Sequence, residues 1–388
     1  MKADVLIVGG GPAGGMAALL FARAGLSVTL CEAYATLPER VCGMYLCPAG
    51  VALLERLGLR ESLDQGARRL RGMVMNAPNF DRLETFFPKS PEAPDHGLAL
   101  RRPDLDRRLL ALAEAAGATV RMGMRPVKIE RQADHWRAEL PTGEVIEARL
   151  LIGADGRKSS TARLLGLAKP PRRSRAALHL DFQTRYATEP LGEMHVFEDG
   201  TYVGLDPITV DTVNFSFVCD PEALRGGRVV EFINEHIARS PHLSALLPPI
   251  PSEARLVATF PTNAEVLSAA TDDAALIGDA SGYTDPLTGE GIYGAFWTAE
   301  DLVNTVAARW SDLPMALNRY ALHRRQRQQA KTALCELFQL VIRRPLLANS
   351  IHWLLSRRQG VADSFIGIVG NSYSPARGLA RIVEHAFN

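Results

Sequence analysis

Several features of membrane-spanning, secreted and nucleic-acid-binding proteins are missing from this sequence of 388 residues. No apolar run reaches the roughly 20 residues that a membrane-spanning helix needs. Lys plus Arg (44) and Asp plus Glu (43) nearly balance, so no nucleic acid is expected as a partner. The five cysteines are too few and too scattered for a secreted disulfide framework. We therefore expect a cytoplasmic protein, and we predict no metal site.

The beginning of the sequence holds a nucleotide-binding pattern. In chain order it contains an apolar run (5–8), the spacing G-x-G-x-x-G, a predicted helix (17–24), a second predicted strand (28–30) and the acid Glu32. The apolar run follows Asp4 and leads directly into the glycines, so we interpret it as a strand rather than as a signal peptide. Strand, glycines, helix, strand and acid in this order favour a dinucleotide-binding unit.

The glycines and the acid have distinct physical roles in such a unit. Gly9 permits the tight turn, Gly11 lets the backbone approach a pyrophosphate, and Gly14 lets the helix pack on the strand. The N–H groups at the start of the helix attract the phosphates, and Glu32 can accept hydrogen bonds from a ribose hydroxyl pair. The residues predicted to contact the dinucleotide are Gly9, Gly11, Pro12, Ala13, Gly14, Glu32 and Ala33.

Two further polar motifs each follow an apolar strand. They occupy residues 153–159 (Gly-Ala-Asp-Gly-Arg-Lys-Ser) and 278–282 (Gly-Asp-Ala-Ser-Gly). Because the carboxyl ends of parallel strands gather at one edge of a sheet, both motifs should lie beside the first glycine loop. Residues 285–292 then lead into a predicted helix, whose N-terminal dipole could stabilise negative charge on a ligand.

The pattern of apolar residues divides the chain into regions. Residues 176–260 alternate apolar and polar side chains like a half-exposed antiparallel sheet, and residues 73–97 favour a further strand pair. We predict an α/β protein, α+β overall, with an antiparallel substrate-binding sheet inserted into the nucleotide-binding domain and a helical tail. The predicted regions are 1–72, 98–175 and 261–330 for nucleotide binding, 73–97 and 176–260 for the sheet, and 331–388 for the tail.

Together the three motifs resemble the FAD-binding fold shared by p-hydroxybenzoate-hydroxylase-like monooxygenases and geranylgeranyl reductases. The resemblance covers residues 1 to about 330 and implies a Rossmann-like FAD-binding domain of glutathione-reductase type. By it, Arg102, in the pattern Arg-x-x-Leu-Asp, reaches the flavin, and Arg40 lies in a loop near the cofactor. Asp155 and Gly156 would serve both FAD and transient NAD(P)H binding. The other FAD contacts that it implies are Cys42, Gly43, Gly278, Asp279, Pro286, Gly289, Glu290, Gly291 and Ile292.

Two groups of residues point to different reactions. Cys42-Gly43, Ala162-Arg163 and residues 286–292 resemble the geranylgeranyl reductases, whose substrate signature is Tyr-x-Trp-x-Phe-Pro. Here that stretch is residues 202–207, Tyr-Val-Gly-Leu-Asp-Pro, without the Trp and Phe. Because substrate-side residues decide which molecule reacts, the sequence favours a monooxygenase that hydroxylates a hydrophobic aromatic or polyketide-like metabolite with NAD(P)H and O₂. Saturation of an isoprenoid C=C bond by reduced FAD is the alternative, followed by a flavin-dependent halogenase or a non-catalytic flavoprotein.

The catalytic candidates are Cys42, Tyr202 and Asp206. Cys42 is expected near the flavin, and the other two lie in the sheet expected to face it, as does His195. Cys42 and Cys47 have the spacing of the redox pair in glutathione-reductase-like flavoenzymes. That family also needs a second nucleotide motif and a C-terminal His-Glu pair, which this sequence lacks, so we predict that the two thiols are not a redox centre.

The tail from Leu334 has apolar residues at helical spacing, interrupted by Arg343-Arg344-Pro345. A helix pair that packs on the FAD-binding domain is the simpler interpretation, and a face for peripheral membrane contact is the alternative. Either would suit a hydrophobic small-molecule substrate. We expect the protein to act as a monomer or homodimer.

Overall fold

The computed structural model describes residues 1–170, 174–185, 190–285, 287 and 289–387. Within these residues the chain is a mixed α/β protein, which confirms the predicted class; the glutathione-reductase type stays a prediction. The strands are β1 (Lys2–Val8), β2 (Val28–Glu32), β3 (Tyr45–Leu46), β4 (Arg68–Leu70), β5 (Gly72–Asn76), β6 (Arg82–Phe86), β7 (Gly97–Ala99), β8 (Thr119–Met122), β9 (Lys128–Arg131), β10 (Trp136–Glu139), β11 (Val145–Gly153), β12 (Ala176–Gln183), β13 (Gly192–Val196), β14 (Tyr202–Pro207), β15 (Thr212–Cys219), β16 (Val257–Thr259) and β17 (Ala274–Leu276). The helices are α1 (Pro12–Arg23), α2 (Pro48–Arg56), α3 (Arg60–Leu63), α4 (Arg102–Ala115), α5 (Ser160–Leu164), α6 (Val229–Arg239), α7 (Pro241–Leu246), α8 (Gly291–Ala307), α9 (Leu313–Ile342), α10 (Pro345–Ser356), α11 (Gln359–Val369) and α12 (Pro375–Phe387).

The first sheet is centred on β1, which runs parallel to β2 on one side and to β11 on the other. β8 continues the sheet beyond β2, and β17 pairs in parallel with the end of β11. Val8 lies opposite Gly153, and Gly153 lies opposite Leu276. The three strands therefore end side by side, and the residues that follow them share one edge of the sheet.

Helix α1 begins at Pro12, five residues before the predicted start. Proline suits the first turn of a helix because the N–H that it lacks would have no partner inside the helix. The turn before it is the glycine loop, so the loop predicted to bind phosphate leads directly into the helix. The helix ends at Arg23, and Gly25 then adopts a positive φ of 84°.

The second sheet has the strand order β16-β12-β15-β14-β13-β5-β6. All its pairs are antiparallel except β13 with β5, so residues 72–86 join the strands between residues 176 and 259 in one sheet. Side chains alternate between its two faces. On β14, Leu205 is fully buried in an apolar cluster with α6 and α7, whereas Gly204 and Asp206 face a large cavity.

The tail forms a series of helices rather than the expected pair. Helix α9 begins against the first sheet, where the hydroxyl of Tyr320 donates to the carbonyl of Leu276 (2.7 Å). It ends at Ile342, and Pro345 then occupies the first turn of α10. Helices α10 and α11 pack on β6 through a cluster that contains Leu83 and Leu355. None of the helices in the described part of the chain is long and apolar enough to cross a bilayer.

Candidate active site

A cavity of about 950 Å³ is lined by the strand ends of the first sheet, the inner face of the second sheet and the tail helices. Its lining contains residues from all three sequence motifs, from the loop 39–43 and from β14. The space that would hold a dinucleotide is thus continuous with the space in front of Asp206. One cavity can therefore hold a cofactor and a substrate together.

Two glycines allow the three motifs to meet. A Cβ on Gly9 would lie 2.4 Å from the carbonyl oxygen of Ala154, and a Cβ on Gly278 would lie 2.8 Å from the Cβ of Ala13. Both glycines also have positive φ angles, of 109° and 56°. Side chains at these positions would separate the first motif from the second and third.

The first motif fits the diphosphate and ribose of a dinucleotide. Gly11, which precedes α1, provides no side-chain cap, and the first turn has no acidic residue. The helix N-terminus therefore keeps its partial positive charge for a ligand. Glu32 is buried, and its carboxylate accepts hydrogen bonds from the backbone N–H groups of Gly10 (2.6 Å) and Tyr34 (3.0 Å). Its remaining acceptor capacity suits a ribose hydroxyl pair.

Arg102 supplies a fixed positive charge beside the glycine loop. Its guanidinium makes two hydrogen bonds to Asp106, of 2.9 and 3.1 Å, and its Nη2 lies 3.8 Å from the position of a Cβ on Gly11. Burial opposes the charge, but Asp106 outweighs it and raises the pKa of Arg102. The thiol of Cys42 contacts the same guanidinium. Arg40 also lines the cavity and stacks over the ring of Tyr34, 4.8 Å from its centroid.

The carboxylate of Asp155 already accepts hydrogen bonds from other groups of the protein. It accepts hydrogen bonds from the backbone N–H groups of Ser160 (2.8 Å) and Thr161 (3.0 Å), and from nearby hydroxyl groups. It therefore holds the start of α5. Asp155 and Gly156 both line the cavity, and their contact with the cofactor stays a prediction.

Arg157 is a site residue that the sequence reasoning missed. It donates to the carbonyl of Val41 (2.7 Å) and lies 3.8 Å from Asp279, so it links the second motif, the third motif and the loop before Cys42. The sequence feature that could have identified it is its position as a cationic residue directly after Asp155 and Gly156. Asp279 itself is half-exposed and lines the cavity.

The loop before α8 is fixed by residues distant in sequence. Glu290 pairs with Lys331 (3.1 Å) and accepts a hydrogen bond from Asn371. Gly289 has a positive φ of 65° and packs against Tyr45, where a Cβ would lie 2.7 Å from the ring. The predicted contacts Gly278, Gly289, Glu290, Gly291 and Ile292 all line the cavity, and Pro286 lies outside the described residues.

Tyr202 is held in a buried hydrogen-bond network. The hydroxyl of Tyr202 donates a hydrogen bond to Asp285, which also accepts one from Thr262 (3.2 Å). The guanidinium of Arg175 stacks on the Tyr202 ring. Burial raises the pKa of Tyr202 well above its ordinary value, and the neighbouring Asp285 adds to the effect. The phenol proton thus forms a hydrogen bond to Asp285. This geometry suits a structural role of Tyr202 better than a role as a catalytic acid.

Unlike Tyr202, Asp206 is placed to take part in catalysis. It is 7% exposed and lines the cavity, and its Oδ1 has no hydrogen-bond partner among the described residues. Its Oδ2 lies 3.4 Å from the position of a Cβ on Gly43. Burial raises the pKa of Asp206 to about 8. At neutral pH the carboxyl is therefore mostly protonated and can donate a proton into the cavity.

The cysteines are free thiols. Cys47 is completely buried, and burial raises its pKa to about 12. Cys42 is partly buried, and its sulfur accepts a hydrogen bond from the backbone N–H of Met44 (3.2 Å). A thiol as buried as Cys47 is a poor nucleophile.

One further cluster contains groups of the kind that bind metals. Ligand atoms of Glu193, His195 and His242 lie within 4.8 Å of one another. The guanidinium of Arg82 lies 3.1 Å from Nε2 of His242 and 3.6 Å from Glu193. A cation from the protein thus already neutralises this cluster, which the sequence reasoning did not find.

The tail helices form an apolar wall of the cavity, which the sequence reasoning did not assign to the site. This wall, the inner wall, consists of Phe338, Val341, Ile342, Ile351, Leu355 and Phe365. It carries no charged side chain. The part of the cavity in front of Asp206 is therefore suited to an aliphatic or aromatic group.

The protein family of this chain is identified by a match between its sequence and a family model. The model, described as an FAD binding domain, matches residues 2–334. The chain belongs to this family of FAD-binding proteins. FAD is therefore the dinucleotide expected at the end of the first sheet, and the geometry of Gly11 and Glu32 agrees with that ligand; the contacts of individual residues with FAD stay a prediction.

The relatives and structural neighbours of this chain differ in the reaction that their names describe. The menaquinone reductase of Mycobacterium tuberculosis is 37% identical over 168 residues, which span 42% of this chain and 40% of that protein. The digeranylgeranylglycerophospholipid reductase of Methanocaldococcus jannaschii is 27% identical over 300 residues, or 75% and 73% of the two chains. The structure of PqsL, a probable FAD-dependent monooxygenase from Pseudomonas aeruginosa, superposes with a TM-score of 0.76 at 21% identity, over 91% of this chain and 100% of that chain. The last likeness shows the fold alone.

Proposed function

We propose that this FAD-dependent oxidoreductase saturates a carbon–carbon double bond in the isoprenoid chain of a lipophilic substrate. The observation that carries the proposal is the buried carboxyl of Asp206, which has a pKa of about 8 and lines the cavity opposite Gly43. Saturation of a C=C bond adds a hydride to one carbon and a proton to the other. Bound FAD, once reduced, supplies the hydride.

Asp206 is suited to supply the proton. Below a pH of about 8 it keeps its proton, and its Oδ1 shares no hydrogen bond with the described protein. Its neighbours in the cavity are Gly204 and Gly43, so a substrate carbon can approach the carboxyl closely. A general acid with a pKa near the working pH is well matched to its task.

The inner wall supplies the apolar surface that an isoprenoid chain requires. The sequence favoured hydroxylation because residues 202–207 lack the aromatic side chains expected to hold a prenyl chain. In the structure the apolar side chains of the inner wall, on α9, α10 and α11, line the same cavity. Since an apolar surface is available from another part of the chain, the missing aromatic residues no longer argue against a reductase, and we rank that reaction first.

The relatives give independent support. The two curated relatives described above are named as reductases, and one of the names contains a digeranylgeranyl lipid. The menaquinone reductase match covers less than half of either chain. The substrate of this protein is therefore inferred from the cavity and not transferred from either name.

Hydroxylation of a hydrophobic ring compound with O₂ and NAD(P)H is the second candidate. It is favoured by the same stretch of β14, where Gly204 widens the cavity and no aromatic residue follows Tyr202. NAD(P)H as the transient electron donor stays a prediction for both reactions.

Anaerobic and aerobic turnover distinguish the two reactions. The FAD-loaded protein, reduced with dithionite under argon, is mixed with a geranylgeranyl lipid or a prenylated quinone, and the product is analysed by mass spectrometry. We expect a gain of two hydrogen atoms per double bond without oxygen. If product appears only with ¹⁸O₂ and carries the label, the protein is a monooxygenase and the reductase proposal is wrong.

A further inference from the structure

The end of α9 and helix α10 expose large apolar side chains to solvent. We call this surface the outer face. Leu346 is 84% exposed, Leu354 57% and Trp353 55%. The complete outer face consists of Leu337, Leu340, Leu346, Leu347, Trp353 and Leu354. Single exposed leucines are ordinary, but six large apolar residues on two consecutive helices indicate a surface that is covered in use.

The same two helices are also apolar on a second side, because they carry most of the inner wall. Phe338 lies between Leu337 and Leu340 in sequence, and Ile351 and Leu355 flank Trp353 and Leu354. A helix that is apolar on both sides is normally buried on both sides. The inner side is covered by the protein, and the outer side requires another partner.

The charges around the outer face indicate the chemistry of that partner. The chain has four arginines between residues 343 and 358 and no acidic residue among them, although its net charge is only +1. The nearest acidic residues along the chain are Glu336 and Asp363. Arg343 pairs with Asp220 (2.7 Å), whereas Arg344 is exposed and Arg357 stacks on the ring of Trp353 at 4.7 Å. Tryptophan and arginine beside exposed leucines are typical of helices that lie in the interface of a lipid bilayer.

We propose that the outer face docks on the surface of an anionic lipid bilayer. Its leucines and Trp353 would enter the boundary between head groups and acyl chains, and Arg344 and Arg357 would contact lipid phosphates. A second copy of the chain fits less well. In a twofold dimer the same patch meets itself, so Arg344 and Arg357 of the two copies would lie in one interface, where like charges repel.

Docking in this orientation has a consequence for the path of the substrate. This consequence rests on the proposed function. The inner wall and the outer face belong to the same helices, so the bilayer would be separated from the cavity by a single layer of helix. An isoprenoid lipid would then pass from the membrane to the site of reaction without crossing water.

The test is co-sedimentation of the full-length, FAD-loaded protein with vesicles. One set contains phosphatidylcholine alone, and the other contains phosphatidylcholine with phosphatidylglycerol. The apolar variant is Leu346→Gln with Leu354→Gln, and its matched control is Leu267→Gln, at a leucine that is 67% exposed elsewhere. The basic variant is Arg344→Gln with Arg357→Gln, matched by Arg225→Gln with Arg228→Gln, which are also exposed.

We expect the wild type to sediment with the anionic vesicles. The apolar variant should bind at least about tenfold more weakly, since each buried leucine contributes about a factor of ten. The basic variant should lose binding mainly to the anionic set, and both controls should behave like the wild type. FAD retention and thermal unfolding, measured in parallel, show whether each variant is folded.

Three results would overturn the proposal. The wild type could fail to sediment with either set, or the apolar variant could bind as well as the wild type. Alternatively, light scattering could show that the wild type is a dimer and the apolar variant a monomer, which would make the outer face a dimer interface. None of these measurements uses turnover, so their outcome is independent of whether the protein is a reductase.

Discussion

The carboxyl of Asp206 lies against the backbone of Gly43, with Oδ2 3.4 Å from the position of a Cβ on that glycine. The two residues come from different parts of the fold: Asp206 from the second sheet, and Gly43 from the loop between β2 and β3. Their contact places the protonated acid next to the loop that also carries Cys42, beside Arg102 and the glycine loop. The carboxyl of Asp206 therefore adjoins the predicted cofactor site.

Replacement of Asp206 by asparagine should lower turnover by about a hundredfold or more, because the amide keeps the shape but has no proton to transfer. In the wild type, kcat should fall as the pH rises above about 8, where Asp206 loses its proton. Steady-state kinetics across pH test both effects. Asp211→Asn, at an exposed position in the loop between β14 and β15, is the control. Unchanged kcat in the Asp206 variant would remove this residue from the mechanism.

The stability of the protein should fall with increasing pH because of the same group. The pKa of Asp206 is about 8 in the folded state against an ordinary value of 3.8, so from pH about 4 to about 8 the folded state binds more protons than the unfolded state. The free energy of unfolding should therefore decrease by up to about 1.4 kcal/mol per pH unit in that range. Urea unfolding at several pH values measures it. The Asp206→Asn variant should show a smaller slope, and equal slopes would mean that burial does not hold the proton.

Removal of the Asp279 carboxylate should weaken FAD binding by about 1–3 kcal/mol, the cost of leaving a buried polar group of the ligand unpaired. Asp279 lies at the cavity, 3.8 Å from Arg157. FAD dissociation constants for Asp279→Ala and for the surface variant Glu114→Ala, measured by flavin fluorescence, provide the comparison. Wild-type affinity in Asp279→Ala would contradict the predicted contact between this carboxylate and FAD.

Reductive titration should take up two electrons per subunit, those of the flavin alone. Cys47 is completely buried, with a pKa raised to about 12, and both it and Cys42 are free thiols. Anaerobic titration with dithionite, followed by absorbance, counts the electrons. Uptake of four electrons in the wild type and of two in Cys42→Ser would establish a dithiol centre and refute the prediction.

Local patterns explain most of what could be predicted. Gly9 and Gly11 lie in the turn between β1 and α1, and Gly14 lies in the first turn of α1, so short spacing in the sequence is enough to identify all three. The class of fold and the binding of FAD follow from three such turns, because parallel strands bring their ends together. Even the early start of α1 at Pro12 has a local cause.

The contacts that the sequence did not reveal join residues far apart in the chain. Glu290 is held by Lys331 and by Asn371, and Arg157 reaches back to Val41. The inner wall comes from helices whose spacing is equally typical of ordinary core packing. The protonation of Asp206 depends on burial, which no spacing in the sequence reports.

Helix α9 fixes which of its residues face the cavity and which face outward. It is one uninterrupted helix of 30 residues, about 45 Å long, and Tyr320 ties its first half to the strand before the third motif. Phe338, farther along, faces the cavity, while Leu337 and Leu340 face outward. Each residue turns a helix by about 100°. One residue inserted between Tyr320 and Leu337 would thus rotate everything after it by about 100°. Leu337 and Leu340 would then occupy the positions that now line the cavity, while the composition of the helix would stay almost unchanged.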